Sequence, residues 1–543
     1  MFKKLFSISS KTITSAAIII AAASLISRLL GVLRDRVLAG EFGAGETLDI
    51  YYAAFRIPDL IFNLLVLGAI SAGFIPIFSD YVKRDQLSGF IPGAKFKAWE
   101  LVSNLLNILI VGLIIICGLF IFFTPALLKY LTPGFNPEMR LQTVAMTRIM
   151  MLSPIILGVS AILGGVLQSY KRFFIYSIAP IMYNVGIIFG ALFFVGLFGI
   201  YGLAWGVVFG AALHLLIKLG GVFELGWRPK FVFKLFDPGI IKLAKMMAPR
   251  TLSLAVSQLN LFVITVIAST LSAGSITIFN LANNLQYFPL GIFGVSFAIA
   301  AFPTLSELTD KKEEFVANLS QTLRQIMFYI VPASALLIIL RAQIVRVILG
   351  SGKFDWSATI ATMDMLAFFS ISLFAQALIP LLARAFYARQ NTAIPFIAGL
   401  ISAVINVILS LILAKYLGVA GLALAFSLSS LLNLCILWII LHLQFESLDE
   451  LNILWSVIKI SVATFCLAGV VQALKYFTES FFGTKTFIGI FAQGFISGGV
   501  GLLIYFAVGL LLGSPELLML LTSLRRRFFK SYKPQEVIDP AAE

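Results

Sequence analysis

Charged residues stand inside the first two long apolar stretches of the chain, where a bilayer would have to hold them. The first stretch carries Arg28, Arg34 and Asp35, and the second carries Arg56 and Asp59. A charged side chain at the centre of a membrane costs roughly 2.5–3.5 kcal/mol on insertion scales. Guanidinium groups form paired hydrogen bonds with phosphate oxygens. These residues therefore predict a water-filled cavity that binds an anionic ligand.

Depth separates the three arginines of the first stretch. If its helix enters the membrane near Ser15, Arg28 lies about 20 Å in, near mid-depth, at 1.5 Å per residue. Arg34 and Arg36 lie closer to the far interface, where a long basic side chain can reach the headgroups. Arg36 is therefore open to two interpretations, a cavity residue and an interface anchor.

The second stretch places its polar residues at heptad spacing. Asp49, Arg56 and Asn63 are each seven residues apart and would share one face of a regular helix. Asp59 follows Arg56 by three residues, which allows an ion pair within the helix. We keep two alternatives, a ligand-binding face and an ion pair that locks the first two helices together.

A later apolar segment is rich in amides. It carries Asn280, Asn283, Asn284 and Gln286. Amide side chains in membrane helices form interhelical hydrogen bonds, and they also bind ligands in cavities. Asn283 and Asn284 are the two that we place among the candidate substrate-binding residues.

Composition excludes several classes of protein. The 543 residues are 60% hydrophobic and only 12% charged, whereas soluble domains have about 25% charged residues. The net charge of +15 fits cytoplasmic loops beside an anionic membrane, and we expect no nucleic-acid partner. The sequence contains no Walker A motif and no metal-ligand cluster. We therefore expect a transporter rather than an enzyme, without ATP or a cofactor, driven by an ion gradient or the membrane potential; the ion is left open.

About fourteen apolar segments are long enough to span a membrane, so we predict an all-α polytopic membrane protein. The segments are 14–38, 49–81, 97–124, 141–170, 175–198, 200–222, 240–271, 275–306, 317–341, 357–388, 394–415, 419–443, 451–475 and 486–513. An even number of spans places both termini on one side, and most of the 40 basic residues then fall on the side that the positive-inside rule makes cytoplasmic.

A short internal repeat predicts how the spans are grouped. GIYGLA at 199–204 matches GVAGLA at 418–423, and Ala44-Gly45 aligns with Ala273-Gly274. Spans 1–6 and 7–12 would form two six-helix lobes of the same orientation, as in transporters with parallel repeats. The predicted regions are an N-lobe at 1–222, a cytoplasmic linker at 223–239, a C-lobe at 240–445, two extra spans at 446–513 and a cytoplasmic tail at 514–543.

Four blocks of sequence resemble a known family. They are SRLLGVLRDRVLAGEFGAGETLDIYYAAFRIPDLI at 27–61, GAISAGFIPIFSDY at 68–81, FPLGIFGVSFAIAAFPTLSE at 288–307 and ARAFYARQNTAIP at 383–395. The family is MurJ, also called MviN, the lipid II flippases of the multidrug/oligosaccharidyl-lipid/polysaccharide exporter superfamily. The resemblance covers essentially the whole chain.

The resemblance implies two six-helix lobes and two extra helices that form a groove for a polyprenyl tail. The implied cargo is an undecaprenyl-pyrophosphate-linked peptidoglycan precursor, lipid II, moved from the cytoplasmic to the outer leaflet by alternating access. By motif position, Arg28, Arg34 and Asp35 correspond to cavity residues of the family, and Asp49 to its acidic residue in the second helix. Other cell-wall synthesis proteins are candidate partners, and the cytoplasmic membrane is the expected location.

Four positions depart from the family pattern. Phe62 and Asn63 stand where many members have arginines, Asn284 stands where many have another arginine, and Asp59 replaces an asparagine. The cavity is therefore less cationic than the family pattern, and Arg56 is our candidate for part of the missing charge. A flippase for another polyprenyl-linked glycan, or a cation-coupled exporter of the same superfamily, stays open as the alternative. A membrane scaffold or scramblase and a membrane glycosyltransferase are weaker alternatives.

Overall fold

The structure, a computed structural model, describes residues 13–67, 73–88, 97–483 and 486–528. Regular structure in this part of the chain is helical, and it contains no strand. Part of the family block at 68–81 and the ends of the chain lie outside these residues.

The helices follow the predicted segments closely. Up to the linker they are α1 (Ile13–Phe42), α2 (Glu46–Ile61), π1 (Phe62–Leu67), α3 (Ile75–Ser88), α4 (Lys97–Leu131), α5 (Pro137–Met150), α6 (Leu152–Ser169), α7 (Phe173–Phe189), π2 (Gly190–Phe194), α8 (Val195–Phe198) and α9 (Tyr201–Glu224). After it come α10 (Pro238–Ser269), α11 (Ser275–Pro289), π3 (Leu290–Val295), α12 (Ser296–Glu307), α13 (Lys312–Ile339), α14 (Arg341–Ile348), α15 (Trp356–Ile371), α16 (Leu373–Ala388), α17 (Ala393–Leu417), α18 (Val419–Phe445), α19 (Glu450–Phe482), α20 (Phe487–Leu511) and α21 (Pro515–Phe528).

The all-α membrane class is confirmed. Within the described ranges, ten helices are long and apolar enough to cross a membrane, and an eleventh if the pair α15 and α16, bent by 46°, forms one span. Where the structure describes them, the other predicted segments are helical too, in α1, in α2 with π1 and α3, and in α10. A total of fourteen spans is compatible with this arrangement and stays a prediction.

The helices pack into two compact units. One contains residues 1–288, 345–369 and 396–433, and the other contains 289–344, 370–395 and 434–543. This division follows packing density and does not test the lobe boundaries predicted from the repeat. The candidate cavity residues all belong to the first unit, whose core includes Leu38, Leu48 and Ile50.

Glycines let two helices of the first unit touch along their backbones. A Cβ on Gly186 would lie 2.2 Å from the Cα of Gly210, and one on Gly190 would lie 2.2 Å from the Cα of Gly206. Close approach through small residues is typical of membrane helices, because lipid supplies little apolar driving force for their association.

The two matched hexapeptides begin with the same backbone conformation. Gly199 and Gly418, the first residues of the two matched hexapeptides, have φ values of +58° and +56°. The π-helical segments π1 and π3 also fall at corresponding points, each after the polar half of its helix. A π-helical segment changes the angular register of the residues that follow it and frequently marks a functional site.

The linker is not helical where it follows α9. Asn104 of α4 accepts a hydrogen bond from the backbone N–H of Lys234 over 2.7 Å and donates to its carbonyl over 3.0 Å. The Lys234 ammonium pairs with Glu100 over 2.7 Å, and this hydrogen bond raises the pKa of Lys234. The segment is thus fixed along the start of α4.

The start of the predicted tail is packed, which the sequence analysis did not anticipate. Residues 515–528 form α21, and Glu516 and Leu517 are buried in the second unit. The Glu516 carboxylate accepts hydrogen bonds from the hydroxyls of Ser456 and Ser514, both over 2.8 Å. A single acidic residue at the first turn therefore ties this helix to α19.

Candidate functional site

A polar cavity of about 160 Å³ lies within the first unit, at the level where α1, α2 and α11 approach one another. Four of the residues predicted from sequence line it. The lining residues are Arg34, Leu38, Tyr51, Tyr52, Phe55, Arg56, Asp59, Asn280 and Asn284.

The cavity has a hydrogen-bonded wall centred on Arg34 and Asp35. Arg34 donates through Nε and Nη2 to Oδ1 of Asp35 over 3.0 and 2.8 Å, and through Nη1 to Oδ1 of Asn184 over 3.1 Å. Asn284 donates to Oδ2 of Asp35 over 2.9 Å. This chain of contacts joins α7, α1 and α11. Arg34 thus lines the cavity, whereas its neighbour Asp35 is buried behind it.

Arg56 forms a second wall on α2. Its Nε donates to the hydroxyl of Thr265 over 2.8 Å, and its Nη2 donates to Oδ1 of Asn280 over 3.0 Å. Among the described residues Arg56 makes no contact ion pair, and its predicted interaction with Asp59 acts through charge over a longer distance. The guanidinium is therefore bonded to neutral oxygens only.

Two polar groups in the cavity have no partner in the part of the chain that the structure describes. The Tyr52 hydroxyl is buried and makes no hydrogen bond. The Asp59 carboxylate is half-buried, and no hydrogen bond or ion pair of its oxygens is found. Buried polar groups in folded proteins are usually bonded. The pattern indicates a site that is completed by a ligand or by water.

The cavity therefore contains charged hydrogen-bond donors, neutral hydrogen-bond donors and one carboxylate. Two guanidinium groups, two phenols and two amides can donate hydrogen bonds to phosphate or sugar oxygens. Asp59 offsets one of the two positive charges. The lining residues thus carry a formal charge of +1.

Asp49 lies apart from the cavity lining. It is 3% exposed, and its carboxylate bonds to the start of α11. Oδ2 accepts from the backbone N–H of Gly274 over 2.7 Å, and Oδ1 accepts from the backbone N–H and the hydroxyl of Thr277. A carboxylate at a helix N-terminus satisfies free N–H groups and opposes the helix dipole.

Three further candidates are also not among the lining residues. Asn63 donates to the backbone carbonyl of Asp59 in its own helix over 2.8 Å, and Asn283 accepts from Gln286 over 3.0 Å. Arg28 is half-buried and makes no hydrogen bond or ion pair with a described residue. Their assignment to substrate binding stays a prediction.

Several residues of the site were not found from sequence. Asn184 and Thr265 are single polar residues in apolar runs, and Tyr52 lies beside a tyrosine that is buried in the core. The signal available for Asn184 was its isolation, because a lone amide in a membrane helix needs a partner. Asn280 had been identified only as a member of the amide-rich segment. Asn284 fits both interpretations of that segment, since it bonds across helices and also lines the cavity.

A family model described as "Lipid II flippase MurJ" matches residues 38–492 of the chain. The chain is 31% identical over 471 residues to the probable lipid II flippase MurJ of Vibrio cholerae serotype O1, which covers 85% of this chain and 89% of that protein. It is 29% identical to the probable lipid II flippase MurJ of Rhizobium tropici, with 94% and 96% covered. For the lipid II flippase MurJ of Burkholderia cenocepacia the identity is 28%, with 78% and 83% covered.

Solved structures agree on the fold. A structure of lipid II flippase MurJ in an inward closed conformation superposes with a TM-score of 0.73 at 23% identity, covering 94% of this chain and all of that chain. An inward-facing multidrug resistance MATE family transporter of the MOP superfamily gives 0.66 at 13% identity, covering 80% and 99%. These likenesses establish a shared helical fold.

Proposed function

The chain belongs to the lipid II flippase MurJ family, and from this premise we propose that it moves lipid II from the cytoplasmic to the outer leaflet by alternating access. It is a multi-pass membrane protein and a transporter rather than an enzyme. Lipid II is a polyprenyl-pyrophosphate-linked peptidoglycan precursor, so its pyrophosphate carries the negative charge that a membrane protein must compensate.

The observation that carries the proposal is the pair of guanidinium groups, Arg34 and Arg56, that line one cavity of the first unit. Arg34 is already bonded to Asp35, which fixes its orientation. Arg56 bonds only to neutral oxygens of Thr265 and Asn280. A pyrophosphate that enters the cavity would gain charge-assisted hydrogen bonds from preoriented donors, each of about 1.5–3 kcal/mol.

The two extra spans are proposed to hold the polyprenyl tail. Their helices, α19 and α20, pack against each other in the second unit and carry exposed apolar side chains such as Phe465 and Phe495. A polyprenyl chain is apolar over its whole length and suits such a surface. Both termini are proposed to be cytoplasmic, because the basic residues then follow the positive-inside rule.

Energy is proposed to come from an ion gradient or the membrane potential, without ATP. Moving one net charge across 100 mV supplies about 2.3 kcal/mol. Lipid II is anionic, so the electric field of the membrane potential acts on it as it crosses the membrane. Other cell-wall synthesis proteins stay candidate partners.

Complementation and reconstitution test the proposal. A bacterium depleted of its own flippase should grow when it expresses this chain, and proteoliposomes should move labelled lipid II. Arg34→Ala and Arg56→Ala should each lower the affinity for lipid II by roughly 10- to 150-fold, the equivalent of one charge-assisted hydrogen bond. Arg148→Ala is the matched control, since Arg148 is exposed and bonds to the backbone of Ile121.

The alternative cargo is another polyprenyl-linked glycan; a lining with a formal charge of +1 suits a glycan whose linkage to the lipid carries less negative charge than a pyrophosphate. Transport of a different polyprenyl-linked glycan, with lipid II left in place, would select it. If neither lipid moves and Arg34→Ala and Arg56→Ala behave like Arg148→Ala, the assignment of the cavity is wrong.

A further inference from the structure

A lysine is buried in a membrane-spanning helix away from the candidate cavity. Lys218 of α9 is 3% exposed. Its Nζ donates to the backbone carbonyl of Ser160 on α6 over 3.2 Å and lies 5.3 Å from the centre of the Tyr176 ring on α7. No acidic group pairs with it among the residues that the structure describes. An ammonium has three donors, so one hydrogen bond and one ring face leave it incompletely compensated.

A histidine lies one turn before this lysine and shares its partner. The His214 Nδ1 and the Ser160 hydroxyl are 2.7 Å apart, and the same hydroxyl lies 3.2 Å from the His214 carbonyl oxygen. The Tyr183 ring packs edge-on against the imidazole, with the ring centres 6.5 Å apart. Two basic side chains thus converge on one serine in the interior of the unit.

The helices packed against α9 supply no counter-charge at this point. They are α5, α6, α7, π2 and α8. Their ionisable residues are Tyr176 and Tyr183 on α7, and Glu138, Arg140 and Arg148 on α5. The two arginines bond to backbone carbonyls of other residues, and Glu138 bonds to a glutamine of its own helix. The phenols are neutral donors, so no anion from the described residues compensates the charge of Lys218.

The space around the lysine suits only a very small ligand. A Cβ on Gly164 of α6 would lie 2.9 Å from Nζ, so the amine fills the room that this glycine leaves. Snorkelling does not explain the position, because Nζ points at Ser160 and not along the helix to an interface. A buried lysine without an anion readily changes its protonation state.

We propose that Lys218, with His214 beside it, is a proton-binding site in the membrane-spanning part of the chain. Lys218 takes up a proton on the lone pair of Nζ and releases it again during transport, while Ser160 orients both basic groups. This inference rests on the proposed transport function and names the proton as a coupling ion. It uses residues that are separate from the pyrophosphate cavity.

Two substitutions hold the site in its two states. Lys218→Met is permanently neutral, and Lys218→Arg is permanently charged. We expect the initial rate of lipid II transport by the wild-type chain to change at least about threefold between pH 6 and pH 9, as a single essential group titrates. Both variants should lose this dependence, with rates that vary less than about 1.5-fold over the same range.

The matched control is Lys230→Met, which removes the charge of an exposed lysine in the same unit. It should keep the wild-type pH profile. If Lys218→Met also keeps that profile at a normal folded amount, the inference is overturned. Wild-type transport at a fixed pH tests the flippase function separately, so its failure is distinguishable from failure of the proton site.

A stability measurement covers the case in which both variants fold but do not transport. The free energy of unfolding depends on pH wherever a group binds protons differently in the folded and unfolded states. The thermal midpoints of wild type and Lys218→Met in detergent should therefore differ in their pH dependence between pH 6 and pH 9. Parallel curves would overturn the proposal. His214→Gln keeps the lysine and should shift the midpoint of the wild-type profile without abolishing it.

Discussion

Thr277 directs both of its donors at one oxygen of Asp49. The backbone N–H and the hydroxyl of Thr277 donate to Oδ1 over 2.8 and 2.7 Å, and the residues are 228 positions apart in the chain. Since Gly274 bonds the other oxygen, Asp49 fixes the start of α11 against α2. That helix carries Asn280 and Asn284 to the cavity, so Asp49 acts on the site through position.

Removing this carboxylate should cost stability before it costs affinity. Asp49→Ala loses three hydrogen bonds to a buried charged group and should lower the free energy of unfolding by about 3 kcal/mol. Thermal unfolding in detergent measures the loss. Glu46→Ala, an exposed acid in the first turn of the same helix, is the control and should be close to wild type.

Lipid II binding by Asp49→Ala distinguishes a positioning role of Asp49 from direct contact with the cargo. At a temperature where Asp49→Ala is folded, its affinity should fall less than that of Arg34→Ala. A large loss of affinity with unchanged stability would instead place Asp49 in contact with the cargo.

The fold was largely predictable because apolar runs of membrane length leave few alternatives to a helix. The predicted segment 275–306, for example, corresponds to helix from Ser275 to Glu307. The contacts of the polar residues were less predictable. Heptad spacing placed Asp49, Arg56 and Asn63 on one face, but it does not say which helix that face meets.

The heptad spacing does not extend to Asn63, because the helix type changes before it. The π-helical segment begins at Phe62. A π-helix has more residues per turn than an α-helix, so the α-helical rotation of 100° per residue does not extend to Asn63. The Asn63 side chain bonds instead to the carbonyl of Asp59. Arg34 and Asp35 could be singled out from the sequence, because their charge is costly in a membrane wherever they point.

Arg34→Lys should weaken cargo binding although it preserves the charge. The guanidinium reaches Asp35 through two nitrogens and Asn184 through a third, and one ammonium cannot reproduce this planar arrangement. We expect the dissociation constant for lipid II to rise about tenfold, or 1.4 kcal/mol. Arg148→Lys is the control on an exposed arginine. Equal affinity of Arg34→Lys and wild type would show that charge alone is recognised there.

Two glycines that the repeat aligns, Gly274 and Gly45, should differ in how much an alanine destabilises the protein. Gly274 has φ +90°, and a Cβ there would lie 2.3 Å from the backbone oxygen of Ala44. Gly45 has φ −148°, and no atom lies within 4 Å of its added Cβ. Gly274→Ala should destabilise the protein by about 3 kcal/mol through strain and overlap, whereas Gly45→Ala should change stability by less than about 0.5 kcal/mol.

Thermal midpoints and folded yields of the two glycine variants provide the measurement. Similar losses in both would mean that backbone flexibility, rather than the contact with Ala44, is what each glycine supplies.

Tyr52→Phe should raise stability and lower cargo affinity. The Tyr52 hydroxyl is buried in the cavity and bonds to none of the described residues, so removing it relieves an unsatisfied polar group and should add about 1 kcal/mol to the free energy of unfolding. If the hydroxyl donates to an oxygen of the cargo, the same change should weaken lipid II binding about fivefold, near the 1 kcal/mol of one neutral hydrogen bond. Tyr201→Phe, at the start of α9, is the matched control. A stabilised variant with wild-type affinity would mean that the hydroxyl faces water in the loaded cavity rather than the cargo, and the two measurements on one protein distinguish these outcomes.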